Sequence, residues 1–322
     1  MIKILANDGI DKAGEEMLIR AGFKVDKNKI KQEDLAAVIN QEKYNAILVR
    51  SATQVRQDII NNCKTIQVIG RAGTGLDNID IECAKQKGIA VINTPRAPAQ
   101  SVAELVFAHL FTGARNLHKT NRKMPQGIDF KILKKESGKG MELAGKTIGI
   151  WGFGRIGQEV AKKALALGMN ILPYDPFVFE AILNIEIPAV KRNFKEKIKT
   201  VSQNKILTQS DIITFHVPKP KTGPLITEKE ISKMKDGVFI INTARGGILE
   251  EESLIEALKT NKIAFAGLDV FVNEPTPKPE LLSMPNVSIS PHIGGSTKEA
   301  QERIGRELAS KVINYFLNKK NI

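Results

Sequence analysis

Apolar residues follow two alternating patterns through the first hundred positions of the chain. Apolar runs of strand length lie at 2–6, 46–49, 66–69 and 89–92, interrupted only by Lys3 and Gln67. Between them, residues 11–21, 33–40, 57–62 and 81–87 carry apolar positions at helical spacing, and Gly22 and Gly88 stand where two of these helices should stop. Such strands alternating with helices across short turns predict a parallel sheet covered on both faces. Pro95 and Pro98 interrupt the alternation. A long helix is predicted from about 101 to 117, and Val102, Leu105, Val106, Ala108, His109 and Phe111 make it a core or interface helix. The Lys- and Gly-rich stretch 121–145 reads as loop.

A second α/β unit is predicted to begin at Lys146. A strand over 147–151 runs into a glycine turn, and Ile156, Val160, Ala164 and Leu167 then mark a helix. Further strand-like runs lie at 171–174, 212–217, 238–241, 264–270 and 287–290, and an amphipathic helix is expected over the last thirty residues. Pro173 cannot donate to a sheet ladder, so the sheet there is expected to be weak or edge-like. The basic run 191–199, KRNFKEKIK, reads as a solvated helix face or loop.

Composition narrows the classes. With 322 residues, of which 42% are hydrophobic and 26% charged, the chain is an ordinary globular one of about two domains. The net charge of +13 raises nucleic acid or an anionic membrane as partners, but the basic residues are scattered lysines and aromatics make up only 5%. Neither partner is expected; a Lys-rich surface that attracts small anions is. Two cysteines, Cys63 and Cys83, make neither a disulfide framework nor a zinc site and suggest free thiols in a reducing compartment. With no signal-peptide pattern and no apolar run of membrane-spanning length, a cytoplasmic protein without metal is expected.

The chemistry concentrates in four places. Gly152-Phe153-Gly154-Arg155-Ile156-Gly157 follows a strand and opens a helix, the arrangement that turns tightly, lets backbone approach a pyrophosphate and presents a helix N-terminus to it. Asp175 lies 23 residues after Gly152, at the end of the next strand-like run, where an acid accepts from both ribose hydroxyls and repels a 2′-phosphate. That favours NAD over NADP. Arg245, Glu274 and His292 each follow a strand-like run, and open α/β sheets bind ligands at the carboxyl ends of their strands. A carboxylate that orients an imidazole suits general acid/base work, and an arginine fork matches a carboxylate. Arg50 and Arg71 likewise follow strand-like runs and are candidates for a substrate phosphate.

The chain resembles the D-isomer-specific 2-hydroxyacid dehydrogenase family essentially from end to end. The resemblance is carried by the residue 49–53 block VRSAT, the 70–80 block GRAGTGLDNID, the glycine turn, the Arg245 block, the 267–271 block GLDVF and the 291–300 block PHIGGSTKEA. It implies two doubly wound α/β domains: a flavodoxin-like substrate domain of 1–97 plus 294–322, and a Rossmann NAD-binding domain of 98–293. It implies catalytic Arg245, Glu274 and His292, with NAD contacts at Thr74, Arg155, Ile156, Asp175, Val217, Thr243, Ala244, Asp269, Gly294 and Gly295 besides the turn. The 70–80 and 291–300 blocks imply NAD-dependent oxidation of 3-phospho-D-glycerate to 3-phosphooxypyruvate, which opens serine synthesis. Two alternatives stay open: a reductase of another 2-keto acid such as hydroxypyruvate, or an NAD-sensing, corepressor-like binding protein. A homodimer through the 101–117 helix is implied too. The short chain after His292 is expected to leave no room for a serine-binding regulatory domain.

Overall fold

A computed structural model describes residues 1–318 and divides into two compact units, Met1–Ala99 together with the described residues from Gly295 on, and Gln100–Gly294. In the first unit the chain runs β1 (Lys3–Ala6), α1 (Lys12–Arg20), β2 (Lys24–Asp26), α2 (Leu35–Glu42), β3 (Ala46–Val49), α3 (Gln57–Asn62), β4 (Val68–Arg71), α4 (Ile81–Gln86) and β5 (Ala90–Asn93). Its five strands form one parallel sheet in the order β2-β1-β3-β4-β5. This is the flavodoxin-like arrangement, with the order reversing beside β1. Every residue of β3 is buried, because helices cover both faces of the sheet. One face packs α2, α3 and α4 through Leu35, Ile39, Ile59 and Ala84; the other packs α1 and the C-terminal helix Lys298–Asn318 through Leu18, Leu308 and Val312. Asp11 caps α1 by accepting from the Ala13 amide at 2.9 Å, and Asp80 caps α4 through the Cys83 amide at 2.9 Å.

The second unit holds α5 (Ala99–Ala114), α6 (Leu117–Lys123), α7 (Phe130–Ser137), β6 (Thr147–Trp151), α8 (Arg155–Ala166), β7 (Asn170–Tyr174), β8 (Glu180–Ile187), β9 (Arg192–Lys199), α9 (Gln203–Gln209), β10 (Ile212–Phe215), α10 (Glu228–Ser232), β11 (Val238–Asn242), α11 (Glu251–Lys259), β12 (Ile263–Leu268), α12 (Pro279–Ser283) and β13 (Val287–Ile289). Six strands pair in parallel in the order β13-β12-β11-β10-β6-β7. The order reverses between β6 and β10, which sets a Rossmann-type switch point beside the turn after β6. Pro173 sits in β7, an edge strand, where a missing amide donor is tolerated.

Two segments differ from the sequence reading. The stretch 121–145 is not a loop throughout: α6 extends to Lys123, and α7 starts where the Asp129 carboxylate accepts from the amides of Lys131 and Ile132 at 2.7 and 3.1 Å. The basic run 191–199 is neither helix face nor loop. It forms β9, paired antiparallel with β8 from Glu180↔Lys199 to Ile187↔Arg192. Ala181, Leu183, Ile185 and Ile198 pack toward the unit's core, while Lys195, Lys197 and Lys199 alternate with them and stay exposed. Alternation with period two disguised a half-buried strand as a charge run.

Candidate active site

The glycine turn is shaped by contacts that admit no side chain. Gly152 takes a φ of +99°, and a Cβ there would lie 2.6 Å from the His216 carbonyl oxygen. A Cβ on Gly157 would lie 2.1 Å from the Gly152 carbonyl oxygen, so α8 sits directly on the turn. Gly154 is the N-cap of α8, no side chain caps the helix, and space is open around its Cα. Amide donors and the positive end of a twelve-residue helix dipole therefore face that space.

Asp175 follows β7 and ties three amides. Its Oδ2 accepts from Phe153 N at 2.8 Å, and its Oδ1 accepts from Phe177 N at 2.8 Å and Val178 N at 3.1 Å. The acid thus fixes the middle of the glycine turn as well as its own loop. His216, after β10, has burial push its pKa down to about 3; its Nε2 lies 3.1 Å from Thr214 Oγ1, and its enclosed Nδ1 meets no partner among the described residues. Val217 follows it. Thr243 Oγ1, after β11, is also buried without a hydrogen-bond partner among the described residues. An open helix N-terminus, a turn that rejects Cβ atoms and an orphaned hydroxyl at the same sheet edge fit a dinucleotide.

Three further turns leave the carboxyl ends of the neighbouring strands β11, β12 and β13. After β11, the Arg245 Nη1 donates to the Ala244 carbonyl at 2.6 Å, while the Arg245 carbonyl accepts from Asn242 Nδ2 at 2.9 Å. A Cβ on Gly246 would lie 1.9 Å from the Phe271 carbonyl oxygen, so the Arg245 turn lies flat against the segment leading to Glu274. There Glu274 Oε1 accepts from Phe271 N at 2.9 Å, and Oε2 lies 2.7 Å from His292 Nδ1. Burial alone pushes the Glu274 carboxyl up. The hydrogen bonds from His292 and the Phe271 amide, with the charge of Arg245, outweigh burial and hold it below the usual carboxylate range.

His292 takes a φ of +54°, a left-handed conformation that a non-glycine residue keeps only where its surroundings over-determine it. Fully buried Asp269, after β12, does this. Its carbonyl accepts from His292 N at 2.9 Å, its Oδ1 from Ile293 N at 2.8 Å and its Oδ2 from Gly294 N at 2.8 Å. The second unit therefore gathers Arg245, Glu274 and His292 with the glycine turn, Asp175, Val217, Thr243, Ala244, Asp269 and Gly294. Arg50, Arg71, Thr74 and Gly295 belong to the first unit. Arg50 follows β3, with its amide donating to Asp8 Oδ2 at 2.8 Å, and Arg71 ends β4, with Nη1 donating to the Ala72 carbonyl at 3.0 Å. The sequence reading overlooked Ser290, whose hydroxyl donates to Asp269 Oδ1 at 2.6 Å. Its place one residue before Pro291-His292 was the available signal.

A fold with a Rossmann-type switch point, and a His–Glu pair with an arginine at the carboxyl ends of adjacent strands, define a dinucleotide-dependent dehydrogenase. The sequence profile described as "D-isomer specific 2-hydroxyacid dehydrogenase, NAD binding domain" matches residues 107–294. A hydroxypyruvate reductase of Thermotoga maritima is 43% identical over 315 residues, 96% of this chain and 97% of the relative. A D-3-phosphoglycerate dehydrogenase of Archaeoglobus fulgidus is 40% identical over 316 residues, which cover 97% of this chain but 57% of the relative. Among solved structures, the NAD+-bound 3-phosphoglycerate dehydrogenase of Entamoeba histolytica superposes with a TM-score of 0.78 at 28% identity, covering 99% of this chain and 96% of that one. The chain belongs to the D-isomer specific 2-hydroxyacid dehydrogenases, NAD-dependent oxidoreductases of small 2-hydroxy acids. No helix among the described residues is long and apolar enough to cross a membrane.

Proposed function

We propose that the chain oxidises 3-phospho-D-glycerate at C2 with NAD to give 3-phosphooxypyruvate. The observation that carries the reaction type is the 2.7 Å contact between His292 Nδ1 and Glu274 Oε2. With Nδ1–H donated to the carboxylate, Nε2 is the free base of the ring. His292 takes the C2 hydroxyl proton at Nε2, and the charge that forms on the imidazole is balanced by Glu274. Arg245 pairs with the substrate carboxylate and polarises the oxygen that becomes the carbonyl. When bound, NAD supplies the acceptor for the hydride that leaves C2. The helix N-terminus at Gly154, Arg155, Ile156 and Gly157 takes the diphosphate, and Asp175 takes the ribose hydroxyls. Val217, Thr243, Ala244, Asp269 and Gly294, with Thr74 and Gly295, complete the cofactor contacts.

The phosphate is assigned to Arg50 and Arg71, each at the carboxyl end of a first-unit strand; two guanidinium forks suit a group of about two negative charges. A specific observation favours a second substrate, hydroxypyruvate: the relative of that name matches almost the whole of both chains. Initial rates of NADH formation or consumption over a panel of phosphorylated and unphosphorylated acids decide between them. Arg50→Ala and Arg71→Ala are expected to raise KM for 3-phosphoglycerate by roughly 10- to 150-fold, the equivalent of about 1.5–3 kcal/mol, with little change in kcat or in residual turnover of unphosphorylated acids. Equal loss on both kinds of substrate makes the arginines structural and removes the phosphate argument. Exposed Phe111 and Leu117 support a homodimer through the 101–117 segment, which sedimentation tests.

A further inference from the structure

Helix α5 carries a buried histidine that the proposed reaction leaves unused. His109 is 4% exposed; its Nδ1 lies 2.9 Å from Ser288 Oγ and its Nε2 3.0 Å from Ser290 Oγ. The two serines are two residues apart, so they share one face of the β13 edge. A Cβ on Gly267 would lie 2.6 Å from His109 Cβ, so α5 rests directly on β12 at this point. Eight residues earlier on the same helix, Ser101 Oγ donates to the Gly294 carbonyl at 2.7 Å. Two points on α5 thus reach the loop that carries His292.

The hydrogen-bond directions follow from the partners. The Asp269 carboxylate receives Ser290 Oγ, Ile293 N and Gly294 N, three donors, and acts only as acceptor. Ser290 has one hydroxyl hydrogen and gives it to Asp269, so toward His109 it accepts, and Nε2 carries the ring hydrogen. Burial holds the imidazole below its ordinary pKa, against a smaller opposing effect of the Asp269 charge. Burial favours the neutral ring, whose bare Nδ1 accepts from the Ser288 hydroxyl. Each link then runs the same way: Ser288 O–H to His109, His109 N–H to Ser290, Ser290 O–H to Asp269. Asp269 in turn anchors the amides of His292, Ile293 and Gly294.

We propose that His109 is a positioning residue, which acts through Ser290 and Asp269 to fix the 290–294 backbone and hold His292 in its left-handed conformation. The consequence for turnover rests on reading His292 as the proton carrier; the consequence for the loop does not. His109→Leu fills the same space and removes both hydrogen bonds, whereas His109→Gln keeps one donor and one acceptor.

The parent is tested first, without cofactor, by ¹⁵N-histidine NMR. Among its four histidines, the His109 ring should appear with Nε2 protonated and Nδ1 bare. Hydrogen exchange of the Ile293 and Gly294 amides should accelerate by about tenfold or more in His109→Leu. The same variant should lose about tenfold in kcat while KM for NAD stays within about twofold. His109→Gln should recover most of both losses. A ring protonated at Nδ1, parent-like exchange in His109→Leu, or equal damage from Leu and Gln overturns the proposal, and the tautomer result stands even if a variant fails to fold. A His292→Asn protein that keeps its turnover overturns the proton-carrier reading alone and leaves the exchange result intact, so the two failures are distinguishable.

Discussion

The two units each place a carboxylate in a turn beyond the carboxyl end of a strand, and the two carboxylates differ in what they have left over. Asp8, after β1, uses both oxygens to close its own edge. Its Oδ2 accepts from the amides of Arg50 at 2.8 Å and Thr53 at 3.0 Å, and its Oδ1 accepts from Thr53 Oγ1 at 2.7 Å and from Lys29 Nζ. Glu274, after β12, gives one oxygen to the Phe271 amide and leaves the other to His292. In both, burial pushes the carboxyl up and hydrogen bonds more than reverse it. A lowered carboxylate pKa therefore does not mark chemistry by itself. The mark is an oxygen not needed by backbone and aimed at a ring that can carry a proton.

The sharpest way to break this contrast is to remove the ring. His292→Ala should lower kcat/KM by roughly 10²–10⁴-fold, the range of a lost general base. NADH binding, followed by fluorescence titration, should stay near parental, because the glycine turn and Asp175 lie on other strands. Near-normal turnover would erase the distinction between Glu274 and Asp8.

Asp175 tests a carboxylate that serves both purposes. Asp175→Asn keeps oxygen for one set of amides but loses the charge. The ratio of kcat/KM for NAD over NADP should fall by about tenfold or more, the equivalent of about 1.4 kcal/mol. An unchanged ratio would assign Asp175 wholly to holding Phe153, Phe177 and Val178.

Asp8→Asn should leave kcat within about twofold and lower stability by about 2 kcal/mol, the scale for hydrogen bonds to a charged group, in urea unfolding at neutral pH. The folded carboxyl has a pKa below its unfolded value. Its stabilisation is therefore present above the unfolded value, near 3.9, and is lost as pH falls through the folded one. The variant should show a flatter acid limb of stability. A large loss of turnover instead would make Asp8 a site residue like Glu274.

The smallest effect is expected in the hairpin, where Glu180 meets Lys197 at 2.7 Å with both side chains about half exposed. Glu180→Gln should change stability by less than about 0.5 kcal/mol, since exposed pairs are screened and entropically costly. A larger loss would mean that the outer face of the hairpin, and not only Leu183 beneath it, holds β8–β9 in place.

Much of this was legible in the residues. Apolar runs such as Ala46–Val49 and Ile212–Phe215, the latter with only Thr214 interrupting it, announce strands buried on both faces, and the spacing from Gly152 to Asp175 announces a nucleotide turn. Less legible was β2, three residues at a sheet edge with little burial to pattern them. The β8–β9 hairpin was hidden because its lysines dominate the composition while its apolar positions face inward one residue at a time. The helices between 117 and 137 are polar and short, and local capping by Asp129 matters more for α7 than periodicity.

The sequence by itself determined the strands buried on both faces, the glycine turn and the residue types at each strand end, because these depend on periodicity and on backbone freedom that only glycine supplies. Tertiary structure decided which carboxylate has a partner to spare. Whether Asp8 closes a turn, Asp269 anchors a loop or Glu274 meets an imidazole depends on which amides and rings other strands bring within 3 Å. Asp and Glu look alike along the chain, since their donors come from residues up to 45 positions away. Hydrogen bonds are short-ranged, so only the folded arrangement can assign them.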